Sequence, residues 1–297
     1  MKSQNKIKAS ASSVIFDIFL YILMTLVIAV TLYPMLHVLF GSLSEGSKLI
    51  AHSGIMLCPQ GFSLAGYRSV FKDPMILRGY ANTLFVVLVG VGLSIFLTIL
   101  GAYFLSRKNV MFKKLIMLMI LFTMFFSGGM IPFYFTVRDL GLENSIWALI
   151  IPSAMNTFNL IIMRTGFESI PDSIEEAAKI DGAGELTIMF RIMVPLAMAT
   201  IAVVLLYYTV DKWNSWFHAM IFIRDREKYP LQLVLRGVLM TNDVAAMTGG
   251  ASVSDQESIS ESVKYAVIIV STLPVLLLYP CLQKYFVKGM MVGAVKG

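Results

Sequence analysis

Long apolar stretches separated by shorter polar segments dominate this chain of 297 residues. About 20 consecutive apolar residues are enough for a helix that crosses the hydrocarbon core of a membrane. Stretches of about this length or longer lie at residues 14–40, 80–105, 115–137, 145–163, 196–222 and 263–287. They do not alternate apolar and polar residues, as the strands of a membrane β-barrel do. The pattern therefore predicts an all-α integral membrane protein with six transmembrane helices and polar tails at 1–13 and 288–297.

The segment between the fourth and fifth predicted spans, residues 164–195, has the clearest local pattern of the polar regions. Pro171 suits the first turn of a helix, and the acidic residues that follow it favour the positive end of the helix dipole. Gly182 suits the positive-φ position that ends many helices. We therefore predict a short amphipathic helix from Pro171 to Gly182. Its apolar face is expected to hold Ile170, Ile174, Ala177 and Ala178, and its polar face Asp172, Glu175, Glu176 and Lys179.

A second helical unit is predicted in the same segment. Its apolar residues recur at the spacing i, i+3, i+4 and i+7, and they are Leu186, Met189, Phe190 and Met193. Pro195 is expected to close this unit. The segment is also rich in acidic residues, which argues against attraction to an anionic lipid surface. A pair of small amphipathic helices between two spans therefore predicts a protein partner on that side of the membrane.

Composition supports the same class of protein. Hydrophobic residues make up 57% of the chain and charged residues 14%, and the mean hydropathy is +0.77. Charged residues in soluble domains are nearer to about 25%. The two cysteines, Cys58 and Cys281, lie far apart and predict no disulfide framework. The net charge of +6 is spread over both sides of the predicted membrane, so we predict no binding to nucleic acid.

The short loops indicate which side of the membrane each polar segment occupies. The turn SRKNVMFKK at 106–114 carries several basic residues, whereas the short loop around Arg138 carries a single one. Short basic loops remain in the cytoplasm. We therefore predict that both termini and the segment 164–195 lie on the cytoplasmic side of the cell membrane. The long segments 41–79 and 224–263 are then extracellular.

The common motifs of catalytic and metal sites do not occur in the sequence. A Walker A phosphate loop, GxxxxGK[ST], and a GxSxG motif are both missing. The three histidines, His37, His52 and His218, are far apart, and none belongs to an HExxH motif. We therefore predict no catalytic residue, no metal ligand and no cofactor in this chain.

The polar run DKWNSW at residues 211–216 is the clearest candidate for contact with a transported solute. An ionisable residue at membrane depth indicates a functional site, because an unpaired charge in lipid is costly. Aromatic rings stack on sugar rings, and amide groups bond sugar hydroxyls. Gly128, Gly129 and Pro132 could open the third span towards a cavity. The candidate path residues are Tyr134, Tyr207, Tyr208, Asp211, Trp213, Asn214 and Trp216.

A structural interpretation of the same residues stays open. Asp211 and Lys212 would neutralise one another, and Trp213 and Trp216 would lie in the aromatic belt at the outer interface. The small residues of the third span would then only allow close packing between helices.

The segment 164–195 also resembles a known loop. The residues Glu176-Ala177-Ala178, Asp181-Gly182-Ala183, Phe190, Ile192 and Pro195 have the order and spacing of the EAA loop of binding-protein-dependent ABC importer permeases. The resemblance implies that the helix at 171–182 is a coupling helix, which sits in a cleft of a cytoplasmic ATPase. The residues that it assigns to ATPase coupling are Glu175, Glu176, Ala177, Ala178, Asp181, Gly182, Ala183, Phe190 and Pro195.

Two further segments carry the resemblance. Residues Ser127–Arg164 are similar to the LplC-like permeases for complex oligo- and polysaccharides, and the C-terminal VKGMMVGAVKG is similar to maltose-type permeases. The resemblance implies a permease subunit of an ATP-driven sugar importer, which forms half of the translocation path. The implied partners are a second homologous permease subunit, two cytoplasmic ATPase subunits that bind ATP and Mg, an extracellular solute-binding protein, membrane lipid and an oligosaccharide.

Two other functions remain compatible with the sequence. An ABC permease for another solute, such as a peptide or phosphate, would share the loop and differ only in its ligand. A membrane-embedded regulator would use the loop to recruit a cytoplasmic partner and would need no path for a solute.

Overall fold

The computed structural model describes residues 11–247, 261–278 and 280. These residues form helices joined by turns, and their β pairing is limited to an isolated bridge between Ser44 and Phe62. The all-α architecture predicted from the apolar pattern is confirmed. The predicted tail at 288–297, and most of the tail at 1–13, lie outside the described residues.

The chain divides into two compact units. The first comprises residues 1–70 and 242–269, and the second comprises residues 71–241 and 270–297. The helices of the first unit are α1 (Ala11–Ser42), α2 (Gly46–Ala51), α3 (Ala65–Lys72) and the first part of α14 (Glu261–Leu278). Here α3 lies close to α14, because a Cβ added to Gly66 would come within 2.8 Å of the carbonyl oxygen of Ser262.

The second unit contains most of the helices. In chain order they are α4 (Pro74–Ser106), α5 (Lys113–Phe125), α6 (Met130–Asp139), α7 (Thr157–Glu168), α8 (Asp172–Ile180), α9 (Glu185–Thr187), α10 (Val194–Leu196), α11 (Met198–Trp213), α12 (Phe217–Phe222) and α13 (Leu231–Met247), whose last residues, from Asn242, belong to the first unit. A π-helical turn, Ile188–Met193, joins α9 to α10. The core lies where α4 packs against α7 and α11, and its buried side chains include Leu105, Met163, Phe167 and Val204.

The described residues contain three helices that are long and apolar enough to cross a membrane. They are α4, α14 and residues Ser12–Ser42 of α1. Two pairs of shorter helices meet the same criterion only when each pair is taken together, and both pairs are bent at a break. If each bent pair is one span, the described chain has five candidate spans. The predicted number of six spans is therefore not confirmed.

The predicted span at 145–163 is not one helix. It consists of a 3₁₀ turn (Ile146–Leu149), a non-helical segment at 150–156, and the first part of α7, which continues to Glu168. Pro152 explains part of this break, because proline lacks a backbone N–H and its ring clashes with the preceding helical turn.

The predicted spans at 115–137 and 196–222 are broken as well. Helices α5 and α6 meet at an angle of 112°, and the break contains Gly129, whose φ of +84° favours glycine. The chain bends by 83° at Ala197, between α10 and α11, and leaves the helix again between α11 and α12. These predicted spans are therefore pairs of shorter helices.

Candidate functional site

Helix α8 lies at the centre of the segment 164–195, which we call the coupling loop. Both ends of the helix follow from the local sequence. Pro171 has an extended backbone and directly precedes the first helical residue, Asp172. The acidic residues Asp172 and Glu175 lie in the first turn of the helix. At the other end Gly182 has a φ of +79°, and the N–H of Ala183 donates to the carbonyl of Ala178 at 2.9 Å. This bond closes the helix as glycine-terminated helices commonly end. A helix therefore forms where one was predicted, but it begins at Asp172, directly after Pro171, and ends at Ile180, two residues before Gly182.

The faces of α8 agree with the prediction at Ile174 and Ala178 but not at Glu175 and Ala177. Ala178 is buried, and Ile174 and Glu175 are half-buried, so these residues face the rest of the second unit. Ala177 is exposed, although we predicted it on the buried face, and Ile180 is 86% exposed. Glu175 was predicted on the exposed face and lies on the inner one, because a cationic side chain there pairs with it.

That cation belongs to Arg107, the residue that follows α4. Arg107 and Glu175 form an ion pair whose side chains are only 15% and 12% exposed. Next to it, Lys108 pairs with Asp172 at the start of α8. The hydrogen bond from Lys108, together with the positive charge of Lys108, lowers the pKa of Asp172, although burial opposes the shift. Helix α8 is therefore attached to the end of α4 by charge.

A second set of bonds attaches the C-terminal end of α8. Lys179 pairs with Glu175 at 2.8 Å and with Glu185 at 2.9 Å. The hydroxyl of Tyr103, in the last turn of α4, donates to Glu185 at 3.0 Å. These side chains, with those of Arg107 and neighbouring residues, line a cavity of about 670 Å³. The C-terminal end of α8 is thus joined to the last turn of α4 through Lys179, Glu185 and Tyr103.

A third group of charges fixes the approach to α8. Glu168, the last residue of α7, pairs with Arg164 at 2.8 Å and with Lys113 at 3.1 Å. Burial opposes ionisation of Glu168, but the hydrogen bonds from Arg164 and Lys113 outweigh it and lower the pKa of the carboxyl.

Four residues of this site were not predicted from the sequence, and they are Tyr103, Arg107, Lys108 and Lys113. The signal for the three basic residues was present, since a basic turn and an acidic loop were both predicted on the cytoplasmic side of the membrane. Opposite charges on the same side indicate a contact, and the structure contains it.

The second predicted unit of the loop does not form one apolar face. Met189 and Met193 are buried, whereas Leu186 and Phe190 are exposed. The reason is the π-helical turn, whose i→i+5 bonds rotate the side chains away from α-helical positions. Pro195 lies inside α10 and does not close the unit, which continues to the bend at Ala197. The exposed residues Ala177, Ile180, Leu186 and Phe190, together with Glu176, form what we call the outer face of the loop.

A separate cavity of about 680 Å³ lies beside the C-terminal part of α11. Its lining residues are Leu149, Ser153, Leu206, Tyr207, Val210, Asp211, Lys212, Asn214, Ser215, Phe217 and His218. Of the seven candidate path residues, Tyr207, Asp211 and Asn214 line this cavity. They offer a ring, a carboxylate and an amide, which suit the faces and hydroxyl groups of a sugar.

Two other candidates are buried and bonded to the protein. The hydroxyl of Tyr208 lies 2.8 Å from the hydroxyl of Thr98 and accepts a bond from the N–H of Asn156 at 3.0 Å. The indole N–H of Trp213 donates to the carbonyl of Ser271 at 3.0 Å. These two side chains hold helices together and do not line the cavity.

The remaining two candidates, Tyr134 and Trp216, lie elsewhere. Tyr134 donates to Glu143 at 2.9 Å, and its ring is stacked on Phe222. Trp216 packs under the guanidinium of Arg236, which lies 4.2 Å from the ring centroid. The structure therefore does not bring the seven predicted path residues together at one surface.

Lys212 has a role that the sequence analysis missed. Its side chain is almost fully buried, and its ammonium donates to the carbonyl oxygens of Leu149 and Ser153, both at 3.1 Å, and to the hydroxyl of Ser153. Asp211 is exposed and forms no ion pair in contact with Lys212, because successive residues of a helix point in different directions, so its charge acts on Lys212 only at a distance. The predicted mutual neutralisation of Asp211 and Lys212 is therefore not the arrangement that forms.

Comparison with known proteins relates this arrangement to transport. A family model described as "Binding-protein-dependent transport system inner membrane component" matches residues 8–292. Protein LplC of Bacillus subtilis (strain 168) is 41% identical over 283 residues, which cover 95% of this chain and 95% of that protein. The polygalacturonan/rhamnogalacturonan transport system permease protein YtcP of the same organism is 39% identical over 288 residues, with coverage of 95% and 99%.

A solved structure matches as well. It is described as the crystal structure of a bacterial ABC transporter involved in the import of the acidic polysaccharide alginate. The matched chain is 35% identical, the TM-score is 0.83, and the match covers 95% of this chain and 100% of that one.

Proposed function

We propose that this chain, which belongs to the family of binding-protein-dependent transport system inner membrane components, forms half of the translocation path of an ATP-driven importer for oligo- or polysaccharides. The names of two relatives support the substrate class. One is a transport permease for polygalacturonan and rhamnogalacturonan, and the other belongs to an alginate importer. The cavity beside α11, with Tyr207 and Asn214 in its lining, supplies groups that suit a sugar.

The observation that carries the proposal is the outer face of the loop. Ile180 and Leu186 are 86% and 69% exposed, although they lie on a charged segment between two apolar helices. Glu175 and Asp172 of α8 are already paired with Arg107 and Lys108. An apolar surface presented in this way suits a protein partner, and in this family we assign that partner as a cytoplasmic ATPase.

The chain would not hydrolyse ATP itself, because its sequence has no Walker A loop. ATP and Mg would bind to two ATPase subunits on the cytoplasmic side. The basic turn at 106–114 supports a cytoplasmic position for α8 and both termini. A second homologous permease subunit would complete the path. An extracellular solute-binding protein would deliver the saccharide to it.

The contacts of α8 indicate how movement would pass through this chain. The ion pairs of Glu175 and Glu168 attach the loop to the ends of α4, α5 and α7. Helix α11 follows the same loop; the cavity residue Tyr207 lies in it, and Asn214 directly follows it. When an ATPase subunit displaces α8, α7 and α11 would move with it and change access to the cavity.

Uptake in cells tests this function. Cells that lack the chain are complemented with the wild type or with Ala177→Glu, and uptake of a labelled oligogalacturonide is measured. We expect uptake with the wild type and a loss with Ala177→Glu, because a carboxylate on the outer face would be buried without a partner on docking. Met111→Glu adds the same charge to the neighbouring turn, where Met111 is exposed, and should retain uptake.

Unchanged uptake with Ala177→Glu would contradict the docking role of the outer face. Uptake that does not depend on the chain would contradict the saccharide assignment. This result is expected both for a permease of another solute and for a regulator.

A further inference from the structure

The non-helical segment between Leu149 and Asn156 needs hydrogen-bond partners for its backbone from outside the segment. It interrupts a predicted span, so several of its backbone groups lack the bonds that a continuous helix would provide. Non-helical backbone at membrane depth persists only where the protein or a water-filled cavity supplies partners. The question is therefore which groups bind this segment.

Two side chains of α11 supply those partners. Lys212 donates to the carbonyl oxygens of Leu149 and Ser153, both at 3.1 Å. Tyr208 accepts from the N–H of Asn156 at 3.0 Å. Residues four positions apart lie on the same face of a helix, so Tyr208 and Lys212 bind the two ends of the segment together.

The oxygens around the Lys212 ammonium resemble the ligands of a cation site, but the cation here is a side chain of the protein. In other transport proteins, the carbonyl groups of broken membrane helices coordinate a bound cation. Here the buried ammonium occupies that position, and its hydrogen bonds go to oxygens of Leu149 and Ser153 rather than to a carboxylate. A neutral side chain of the same length would leave these carbonyl groups without their donor.

The other ends of α7 and α11 are also in close contact. A Cβ added to Gly166 of α7 would come within 2.6–2.8 Å of atoms of the Thr200 side chain, near the start of α11. The two helices that flank the coupling loop are therefore joined near the loop and again beside the cavity. Ser153 and Lys212 both line that cavity.

We propose that Lys212 is a positioning residue for transport, which joins the segment 149–153 to α11 so that the cavity wall follows the movement of the coupling loop. The inference rests on the proposed function, since it requires a partner that moves α8. It goes beyond that function because it assigns the transmission of movement to the bonds of one buried ammonium.

The test measures movement at the cavity without the need for a known sugar. The assembled importer carries Val210→Cys as a reporter in the cavity lining, with Cys58 and Cys281 replaced by serine. The rate of labelling by a water-soluble maleimide is measured without nucleotide and with ATP and vanadate, and ATP hydrolysis is measured in parallel. In the otherwise unmodified complex, we expect the nucleotide to change the labelling rate.

Lys212→Met is expected to abolish this change while ATP hydrolysis persists. A variant that only reduces the amount of folded complex would lower the labelling of the reporter and the ATP hydrolysis together. Measuring both therefore separates a loss of positioning from a loss of stability. Leu205→Met places the same side chain elsewhere on α11 and should retain the change. Ser153→Ala removes one acceptor of the ammonium and should reduce the change, and it decides the question if Lys212→Met does not assemble.

Two results separate the inference from the function on which it rests. If the labelling rate changes with nucleotide in Lys212→Met as it does in the parent, or in Ser153→Ala where Lys212→Met does not assemble, the inference is overturned and the proposed function stands. If the parent complex shows no nucleotide-dependent change, the ATP-driven function itself is contradicted.

Discussion

Glu175 of α8 is paired with Arg107, which directly follows α4, and both side chains are largely buried. The pair joins the coupling loop to the longest helix of the second unit. A carboxylate that would otherwise be available to a partner is thus used within the chain. The exposed residues of the outer face, which are apolar apart from Glu176, remain for docking.

The first prediction concerns this pair. Arg107→Met and Glu175→Gln should each lower stability, and the double variant should lose less than the sum of the two. We expect an interaction energy of about 0.5–3 kcal/mol, the range for residues in contact. Denaturation of the purified protein in mixed micelles measures it. Strict additivity would show that Lys179 alone holds Glu175.

The second prediction compares two neighbouring tyrosines. Tyr208→Phe removes a hydroxyl that binds Thr98 and the N–H of Asn156, and both groups are then left without that partner. A loss of stability of about 1–3 kcal/mol is expected for buried groups of this kind. Tyr207 is 45% exposed beside the cavity, so Tyr207→Phe should have little effect on stability. The thermal unfolding midpoint should fall for Tyr208→Phe and not for Tyr207→Phe. Equal midpoints would show that the hydroxyl of Tyr208 does not stabilise the core.

The third prediction compares two glycines in helices. Gly166→Ala would place a methyl group against Thr200, and overpacking of this kind costs about 1–3 kcal/mol. A Cβ at Gly92 meets nothing within 4 Å, so Gly92→Ala should be neutral or should stabilise α4 by up to roughly 1 kcal/mol. The thermal unfolding midpoint should fall only for Gly166→Ala. A midpoint unchanged in both variants would mean that α7 and α11 are not in close contact.

Local signals were enough to predict α8. Pro171, the acidic first turn and Gly182 act on neighbouring backbone, so the sequence alone indicated where the helix begins and ends. The resemblance to binding-protein-dependent permeases was also confirmed by the family match. The position of Glu175 on the inner face of α8 could not be predicted in this way. It depends on Arg107, which follows α4 and is distant from α8 in the sequence.

The broken spans were harder to predict for a different reason. Lipid selects for apolar residues whether or not the helix is continuous, so hydropathy does not distinguish one span from two bent helices. At 145–163 the break depends on Lys212 and Tyr208, which are distant in sequence. Aromatic composition likewise did not distinguish Tyr207, which lines the cavity, from Tyr208, which points into the core.

Docking of an ATPase on the outer face of the loop would drive transport, and a pull-down tests this docking. The tagged protein is purified in mild detergent for the wild type, Ala177→Glu and Met111→Glu, and the proteins that accompany it are identified by mass. We expect a second permease subunit and a Walker A ATPase with the wild type and Met111→Glu, and loss of the ATPase alone with Ala177→Glu. Recovery of the wild-type chain without an ATPase, or equal recovery of the ATPase with Ala177→Glu, would contradict docking on the outer face.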